Sequence, residues 1–253
     1  MGIPRDKPGV SGRVDKDTPP QETPLQEQVM MLGKASSSAQ PRPDVAVLCD
    51  FDGTATPHIA IDMLYREFGS PACLEITQRW ERCEISTPEE IQSCFATITA
   101  SRTEMETFLA SLSLDPGLPD LVSLCRQQGY RFAIVSDGLT WYINYILNRH
   151  GIHDVTIYAN EIHFGPDGFR FSFPWYRPET PLRGTSKPTI VRRYQAEGAK
   201  VVFIGDGLTD VQAAEAADVV YARAGLWTYC REHHIPAIEF SDLADLLTKW
   251  TIP

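Results

Sequence analysis

Six polar side chains stand where apolar segments of this sequence give way to short loops, or where a helix is predicted to begin. They comprise four carboxylates, one hydroxyl and one ammonium: Asp50, Asp52, Ser136, Lys187, Asp206 and Asp210. Phosphoryl transfer requires a nucleophile, a divalent cation, donors for the phosphate oxygens and a general acid. The set offers a side chain for each of these roles.

Asp50 and Asp52 are the predicted catalytic pair. Asp50 directly follows the apolar run 45–49, and its carboxylate could attack phosphorus to form an acyl phosphate. Asp52 lies two residues further, so in an extended backbone it points the same way. It could protonate the leaving oxygen and then deprotonate the water that cleaves the intermediate.

The same carboxylates predict a magnesium site, because Mg²⁺ prefers oxygen ligands and keeps several waters. Asp50, the backbone carbonyl of Asp52 and the side chain of Asp206 could supply the protein ligands. Asp210 would either hold a water on the metal or orient Lys187.

A further set of residues could bind the phosphate group: Gly53, Thr54, Ser136, Asp137, Gly138 and Lys187. The hydroxyl of Ser136 and the backbone N–H groups of Gly53 and Gly138 would hold phosphate oxygens. Lys187 adds positive charge at a predicted helix N-terminus, which itself favours anions. Taken singly, an Asp-Gly pair is more often only a turn, and a Lys is more often a solvated charge. The order of the whole set carries the prediction.

The elements that position these groups alternate along the chain. Four segments have the pattern of buried strands: 45–49, 131–135, 200–204 and 218–222. Helical patterns separate them, for example 119–128, which stops at Gly129, and 188–197, which begins with Pro188. This alternation predicts an α/β fold with a doubly wound parallel sheet, which binds ligands at the carboxyl ends of its strands.

Two insertions interrupt the alternation. Residues 57–115 have helical spacing without a strand, which predicts a small all-helical cap after the first strand, between core segments 44–56 and 116–253. One helix start is predicted at Thr87, with Glu90 completing a capping box. The second insertion, 156–175, predicts a hairpin around Asp167-Gly168.

Composition narrows the possible partners. The net charge of −10 and the lack of clustered Lys and Arg disfavour nucleic acid and anionic membranes. Residues 1–43 are rich in Pro, Gly, Ser and charged residues, which predicts a disordered tail. We find no apolar run long enough for a signal peptide or a membrane span, and no Cys-x-x-Cys pair, so we expect a cytoplasmic protein.

The motifs resemble those of the haloacid dehalogenase superfamily over about residues 45–245. Residues 50–54 (Asp-Phe-Asp-Gly-Thr) resemble its first motif and residues 205–210 (Gly-Asp-Gly-Leu-Thr-Asp) its fourth. Ser136 resembles the second motif and Lys187 the third. The resemblance implies a Rossmann-like core, a magnesium ion and an aspartyl-phosphate. The helical insertion is similar to the cap of the phosphoserine-phosphatase branch.

Within that branch the chain is most similar to the family that hydrolyses 2-hydroxy-3-keto-5-methylthiopentenyl-1-phosphate in methionine salvage. The similar segments are 173–175, 187–188, 204–214, 222–223 and 230–232. Some members carry a cysteine cluster before the lysine, whereas residues 175–186 here contain no Cys, so no metal is expected there.

The resulting prediction is a phosphatase that acts on a small phosphorylated metabolite, and two alternatives stay open. A phosphoserine phosphatase would carry a cap Glu nine residues after the nucleophile, where this sequence has Ile59; His58 and Asp62 are nearby polar alternatives. A catalytically silent binding protein could use the same fold, although such relatives usually lose the nucleophile or a metal ligand. The oligomeric state is not predicted.

Overall fold

The computed structural model describes residues 44–166 and 168–252. The predicted tail, 1–43, lies outside the described residues. Within them, seven strands form one sheet in the order β4-β3-β2-β1-β5-β6-β7. The strands are β1 Val45–Cys49, β2 Arg131–Leu139, β3 Thr156–Gly165, β4 Gly168–Ser172, β5 Lys200–Gly205, β6 Val219–Ala222 and β7 Ile238–Glu239. All neighbours are parallel except β3 and β4. The predicted doubly wound α/β fold is confirmed.

The central strand β1 is buried on both faces, which explains its unbroken apolar sequence. Val45, Val47 and Cys49 pack into one apolar cluster, whereas Ala46 and Leu48 pack into another. Successive side chains of a strand point to opposite faces, so the two clusters lie on the two sides of the sheet. Helices cover both: α5 Leu118–Gln128, α6 Thr140–Arg149, α7 Lys187–Ala196, α8 Val211–Ala216, α9 Ala224–Glu232 and α10 Leu243–Thr248.

A 3₁₀ turn, Leu208–Asp210, precedes α8. Gly129 ends α5 in the left-handed conformation (φ 74°), as its position after the last apolar turn predicts. The hairpin β3–β4 is present, with Gly165 opposite Gly168 at its end; Asp167 lies outside the described residues.

Between β1 and α5 the chain forms the helices α1 Ala60–Phe68, α2 Ala72–Glu81, α3 Thr87–Phe95 and α4 Arg102–Leu109. This helical insertion packs partly on the hairpin, because the ring of Phe95 meets Phe169 and Phe171 edge to face. No described helix has the length and apolar character needed to cross a membrane.

The predicted capping box of α3, Thr87 with Glu90, is displaced by one residue in the structure. Ser86 is the N-cap, and its side chain and Glu89 form the capping box. Thr87 is the first helical residue, and its hydroxyl is bonded elsewhere, to Asp137. Glu90 is buried, and burial together with the charge of Asp62 raises its pKa to about 8.

Candidate active site

Asp50 lies at the carboxyl end of β1, where the ends of β2 and β5 meet it on either side. The hydrogen bonding between β1 and β5 continues to Asp50, whose backbone N–H donates to the carbonyl of Ile204 at 2.9 Å. Its carboxylate is buried, with only 4% of the residue exposed. Oδ1 accepts from the Phe51 N–H at 2.7 Å and meets the ammonium of Lys187 at 2.7 Å.

Lys187 joins two of the carboxylates. As the first residue of α7 it is buried, and its Nζ lies 2.7 Å from Asp50 Oδ1 and 2.6 Å from Asp210 Oδ1. Burial alone would lower the pKa of Lys187, but the charges of Asp210 and Asp50 outweigh it and raise the pKa above its ordinary value. Lys187 is therefore a fixed positive charge beside Asp50.

Asp210 is oriented on its other side by backbone. Its Oδ2 accepts from the N–H groups of Asp206 at 3.0 Å and Gly207 at 3.1 Å. With Oδ1 on Lys187, both oxygens already have partners. Of its two predicted roles, the geometry favours orienting Lys187.

The carboxylates of Asp50, Asp206 and Asp210 form a cluster in which one oxygen of each lies within 4.8 Å of the others. Burial, followed by the nearby charge of Asp210, raises the pKa of both Asp50 and Asp206. Lys187 pairs with only two of the three carboxylates, so the cluster carries an excess of negative charge when all are ionised. A divalent cation fits this excess of charge, and an all-oxygen donor set suits Mg²⁺.

The first-motif turn is built against Asp206. Thr54, predicted to bind phosphate, donates its hydroxyl to Asp206 Oδ1 at 2.8 Å. Gly53 has φ 79°, and a Cβ there would lie 2.5 Å from Asp206 Oδ2, so only glycine fits. The guanidinium of Arg223 donates to the Gly53 carbonyl and holds the turn from the opposite side.

The backbone N–H groups of Gly53 and Gly138, which are predicted to contact phosphate, both have protein acceptors in this structure. The N–H of Gly53 donates to the carbonyl of His58 at 3.0 Å. The N–H of Gly138 donates to Ser136 Oγ at 3.0 Å. Both donors are thus used to shape their own turns. The hydroxyl of Ser136, buried at the end of β2, keeps its proton for another acceptor.

Asp52 lies apart from the carboxylate cluster and is held by two donors. Its Oδ1 accepts from the Ala60 N–H at 2.6 Å, and its Oδ2 accepts from the Tyr142 hydroxyl at 2.5 Å. Burial raises its pKa to about 6, although both hydrogen bonds lower it. A carboxyl with that pKa can both give and take a proton near neutral pH.

Asp137, also predicted to bind phosphate, has a different set of partners. Its Oδ1 accepts from the backbone N–H groups of Gly184 and Thr185, and its Oδ2 accepts from Thr87. Both carboxylate oxygens face protein donors, and a second anion would be repelled. The side chain of Asp137 therefore supports the surrounding backbone, and a phosphate contact by this residue stays a prediction.

Four aromatic side chains of the helical insertion and α6 differ in their hydrogen-bond partners. Trp80 donates to Thr87, Trp141 donates to Glu106, and Tyr142 donates to Asp52. The buried hydroxyl of Tyr65 has no hydrogen-bond partner in the described part of the chain. The contact of Tyr142 with Asp52 had no local signal, because 90 residues separate them.

Several known proteins are similar in sequence to this chain. A model of the family described as haloacid dehalogenase-like hydrolase matches residues 47–215. The 2-hydroxy-3-keto-5-methylthiopentenyl-1-phosphate phosphatase of Brevibacillus brevis is 30% identical over 207 residues, covering 80% of this chain and 93% of that protein. The phosphatase of the same name from Exiguobacterium sp. is 29% identical over 204 residues, covering 79% and 94%.

Solved structures share the fold. A substrate-bound phosphoserine phosphatase is 20% identical, with a TM-score of 0.64 over 83% of this chain and 100% of that chain. A phosphoserine phosphatase with a phospho-aspartyl intermediate analogue is 21% identical, with a TM-score of 0.62 and the same coverage of both chains. From its motifs, its fold and these relatives, the chain belongs to the family of haloacid dehalogenase-like hydrolases.

Proposed function

We propose that this chain, a phosphatase of the haloacid dehalogenase-like family, hydrolyses a small phosphorylated metabolite through an aspartyl-phosphate on Asp50. One observation carries the proposal. The carboxylate of Asp50 is buried at the sheet edge, Lys187 holds one of its oxygens, and Asp206 stands beside it. A buried carboxylate held in this way is pre-organised for attack on an anionic group.

In the first step, an oxygen of Asp50 attacks phosphorus and the ester P–O bond breaks. Asp52 gives its proton to the leaving oxygen, which departs as an alcohol or enol. In the second step, Asp52 takes a proton from a water molecule, which attacks phosphorus and releases inorganic phosphate. Asp50 is regenerated, and Asp52 ends protonated as it began.

Lys187 and Ser136 are the side chains proposed to hold the phosphate. Lys187 Nζ already touches Asp50 and has three protons to donate, so the third can reach a phosphate oxygen. The hydroxyl of Ser136 is the corresponding donor from β2. Gly53, Thr54, Asp137 and Gly138 shape the site instead.

Asp50 and Asp206 are the residues proposed to hold Mg²⁺. No described residue donates a hydrogen bond to Oδ2 of either one, whereas both oxygens of Asp210 are occupied. When bound, the ion supplies the positive charge that lets two anions, the carboxylate and the phosphate, approach each other. The backbone carbonyl of Asp52 remains a proposed further ligand.

The proposed substrate is 2-hydroxy-3-keto-5-methylthiopentenyl-1-phosphate. It is supported by relatives that are named for this activity and that the chain matches over more than nine-tenths of their length. Phosphoserine is the second candidate, supported only by shared fold and weakened by Ile59 at the position of the expected Glu. The helical insertion is proposed as the cap over this site, and a cytoplasmic location remains a prediction from composition.

The test is phosphate release from a panel containing both compounds, with Mg²⁺ and with chelator. We expect turnover that requires Mg²⁺ and is concentrated on the methylthiopentenyl phosphate. Asp50→Asn should abolish it, while the matched exposed variant Asp120→Asn should retain it. Undiminished phosphate release by folded Asp50→Asn would refute the proposed mechanism. Turnover of phosphoserine alone would make phosphoserine the substrate in place of the methylthiopentenyl phosphate.

A further inference from the structure

The carboxylate of Asp137 links three segments that are distant in sequence. Asp137 itself follows Ser136 near the end of β2. Its Oδ1 accepts from the N–H groups of Gly184 at 2.9 Å and Thr185 at 2.8 Å. Its Oδ2 accepts from the hydroxyl of Thr87, the first residue of α3, at 2.6 Å. One side chain thus fixes the β2 end, the loop before α7 and the helical insertion.

The loop that Asp137 holds is the one that delivers Lys187. Thr185 precedes Lys187 by two residues, so the backbone bonded to Oδ1 leads directly to the ammonium that touches Asp50. The loop fits closely here, since a Cβ on Gly184 would lie 2.5 Å from Asn160 Oδ1. Asn160 in turn donates to the backbone carbonyl of Asp137 at 2.7 Å.

The insertion reaches the same loop through Thr87. Its backbone N–H donates to the carbonyl of Leu182 at 2.9 Å, and its hydroxyl accepts from Trp80 Nε1 at 3.0 Å. The guanidinium of Arg183 lies over the Trp80 ring at 5.8 Å. The hydroxyl of Thr87 has one proton, and Asp137 Oδ2 at 2.6 Å is its nearer acceptor than the Leu182 carbonyl at 3.3 Å.

We propose that Asp137 is a positioning residue that sets the place of Lys187 beside Asp50 and ties that place to the position of the helical insertion through Thr87. The inference rests on the proposed function of Asp50. The position of Lys187 matters for the rate of turnover because its ammonium is shared between two carboxylate oxygens, at 2.6 and 2.7 Å. A displacement of about 1 Å in such a site can cost about 100-fold in turnover.

The test compares kcat, well below the melting temperature, for Asp137→Ala, Asp137→Asn, Thr87→Val and Thr87→Ser. We expect Asp137→Ala to lower kcat by about 10- to 100-fold. Asp137→Asn should recover most of it, because Oδ1 can still accept from the two N–H groups. Thr87→Val should lower kcat by about three- to tenfold, the loss of one hydrogen bond, and Thr87→Ser should restore it.

Two controls separate positioning from mere stability. Ser86→Ala removes the N-cap of the same helix without touching Asp137, so it should lower the melting temperature and leave kcat unchanged. The double variant Thr87→Val/Asp137→Ala should be no slower than Asp137→Ala, since the hydroxyl acts through the carboxylate. If Asp137→Ala does not fold, the Thr87 series decides the question.

The inference is overturned if folded Asp137→Ala or Thr87→Val retains wild-type kcat, if the two effects multiply independently, or if Ser86→Ala slows turnover as much as Thr87→Val. The wild-type chain and Asp50→Asn are assayed alongside. Wild-type activity that survives Asp50→Asn refutes the proposed function, whereas normal loss in Asp50→Asn with normal kcat in the Asp137 variants refutes only this inference.

Discussion

Tyr142→Phe should move the pH dependence of catalysis toward higher pH. The Tyr142 hydroxyl donates to Asp52 Oδ2 at 2.5 Å and is fully buried. This bond favours the ionised carboxylate and therefore lowers the pKa of Asp52 against the larger, opposite effect of burial. Removing the hydroxyl leaves the ring in place and takes away only that stabilisation, so the pKa of Asp52 must rise.

The size of the shift follows from the strength of the bond. A hydrogen bond to a charged group contributes about 1.5–3 kcal/mol, and one pKa unit corresponds to about 1.4 kcal/mol. The bond from the Ala60 N–H remains in the variant. The pKa of Asp52, about 6 in the wild type, should therefore rise by about one to two units in Tyr142→Phe.

The measurement is kcat/KM for phosphate release across pH, because this ratio reports the ionisation of groups in the free enzyme. A general acid must carry its proton when the leaving group departs, so kcat/KM falls as pH rises through its pKa. That falling limb should lie about one to two units higher in Tyr142→Phe than in the wild type. Tyr145→Phe is the same change on the same helix, but Asp52 accepts its hydrogen bonds from Ala60 and Tyr142, so this variant should leave the limb in place.

Two results would refute the reasoning. An unmoved limb in Tyr142→Phe would mean that Asp52 is not the group whose protonation limits the rate. A limb displaced to lower pH would mean that the hydroxyl favours the protonated form of Asp52, contrary to the geometry seen here.

Three further predictions concern the carboxylate cluster. Mg²⁺ should raise the melting temperature relative to chelator, and by more at about pH 8 than at about pH 5.5, because protons compete for carboxylates whose pKa is raised. Asp206→Asn should remove most of the stabilisation by Mg²⁺, and a stabilisation that does not change with pH would contradict the prediction. Lys187→Met should lower the free energy of unfolding in chelator by about 3–5 kcal/mol, measured by urea denaturation, because it leaves buried carboxylates without their counter-charge; a loss below about 1 kcal/mol would show that the pair adds little. Gly53→Ala should weaken Mg²⁺ binding, measured by calorimetry, because the added Cβ meets Asp206. Gly151→Ala is the control: Gly151 has a similar φ of 74° but open space around it, so this variant should lose about 1 kcal/mol of stability and bind Mg²⁺ normally. Equal Mg²⁺ affinity in the two variants would count against the contact between the Cβ and Asp206.

Local pattern was sufficient to place Asp50 and Asp206 at the ends of their strands. An unbroken apolar run of strand length, ending in a carboxylate, predicts a strand buried on both faces, and β1 has that burial. Parallel strands of a doubly wound sheet deliver their carboxyl ends to one edge, so Asp50 and Asp206 meet there. A helix start predicted at Pro188 placed Lys187 just before the helix, and in the structure Lys187 is the first residue of α7.

Local pattern was ambiguous where two neighbouring residues satisfy the same rule. Ser86 and Thr87 can each cap a helix, and each is followed three residues later by a Glu. The structure uses Ser86 with Glu89 because the Thr87 hydroxyl is engaged by Asp137, 50 residues away. No property of the sequence between 86 and 90 contains that information.

The sequence by itself thus determined which residues stand at the sheet edge and which family the chain resembles. The tertiary structure alone decided which donor meets which acceptor there: Asp137 binds backbone, the Gly53 N–H is taken by His58, and Tyr142 tunes Asp52. The physical reason is that the period of apolar residues and the turn residues depend on neighbours a few positions away. Hydrogen-bond partners and pKa values depend instead on the distances and burial that the packed chain creates between remote segments.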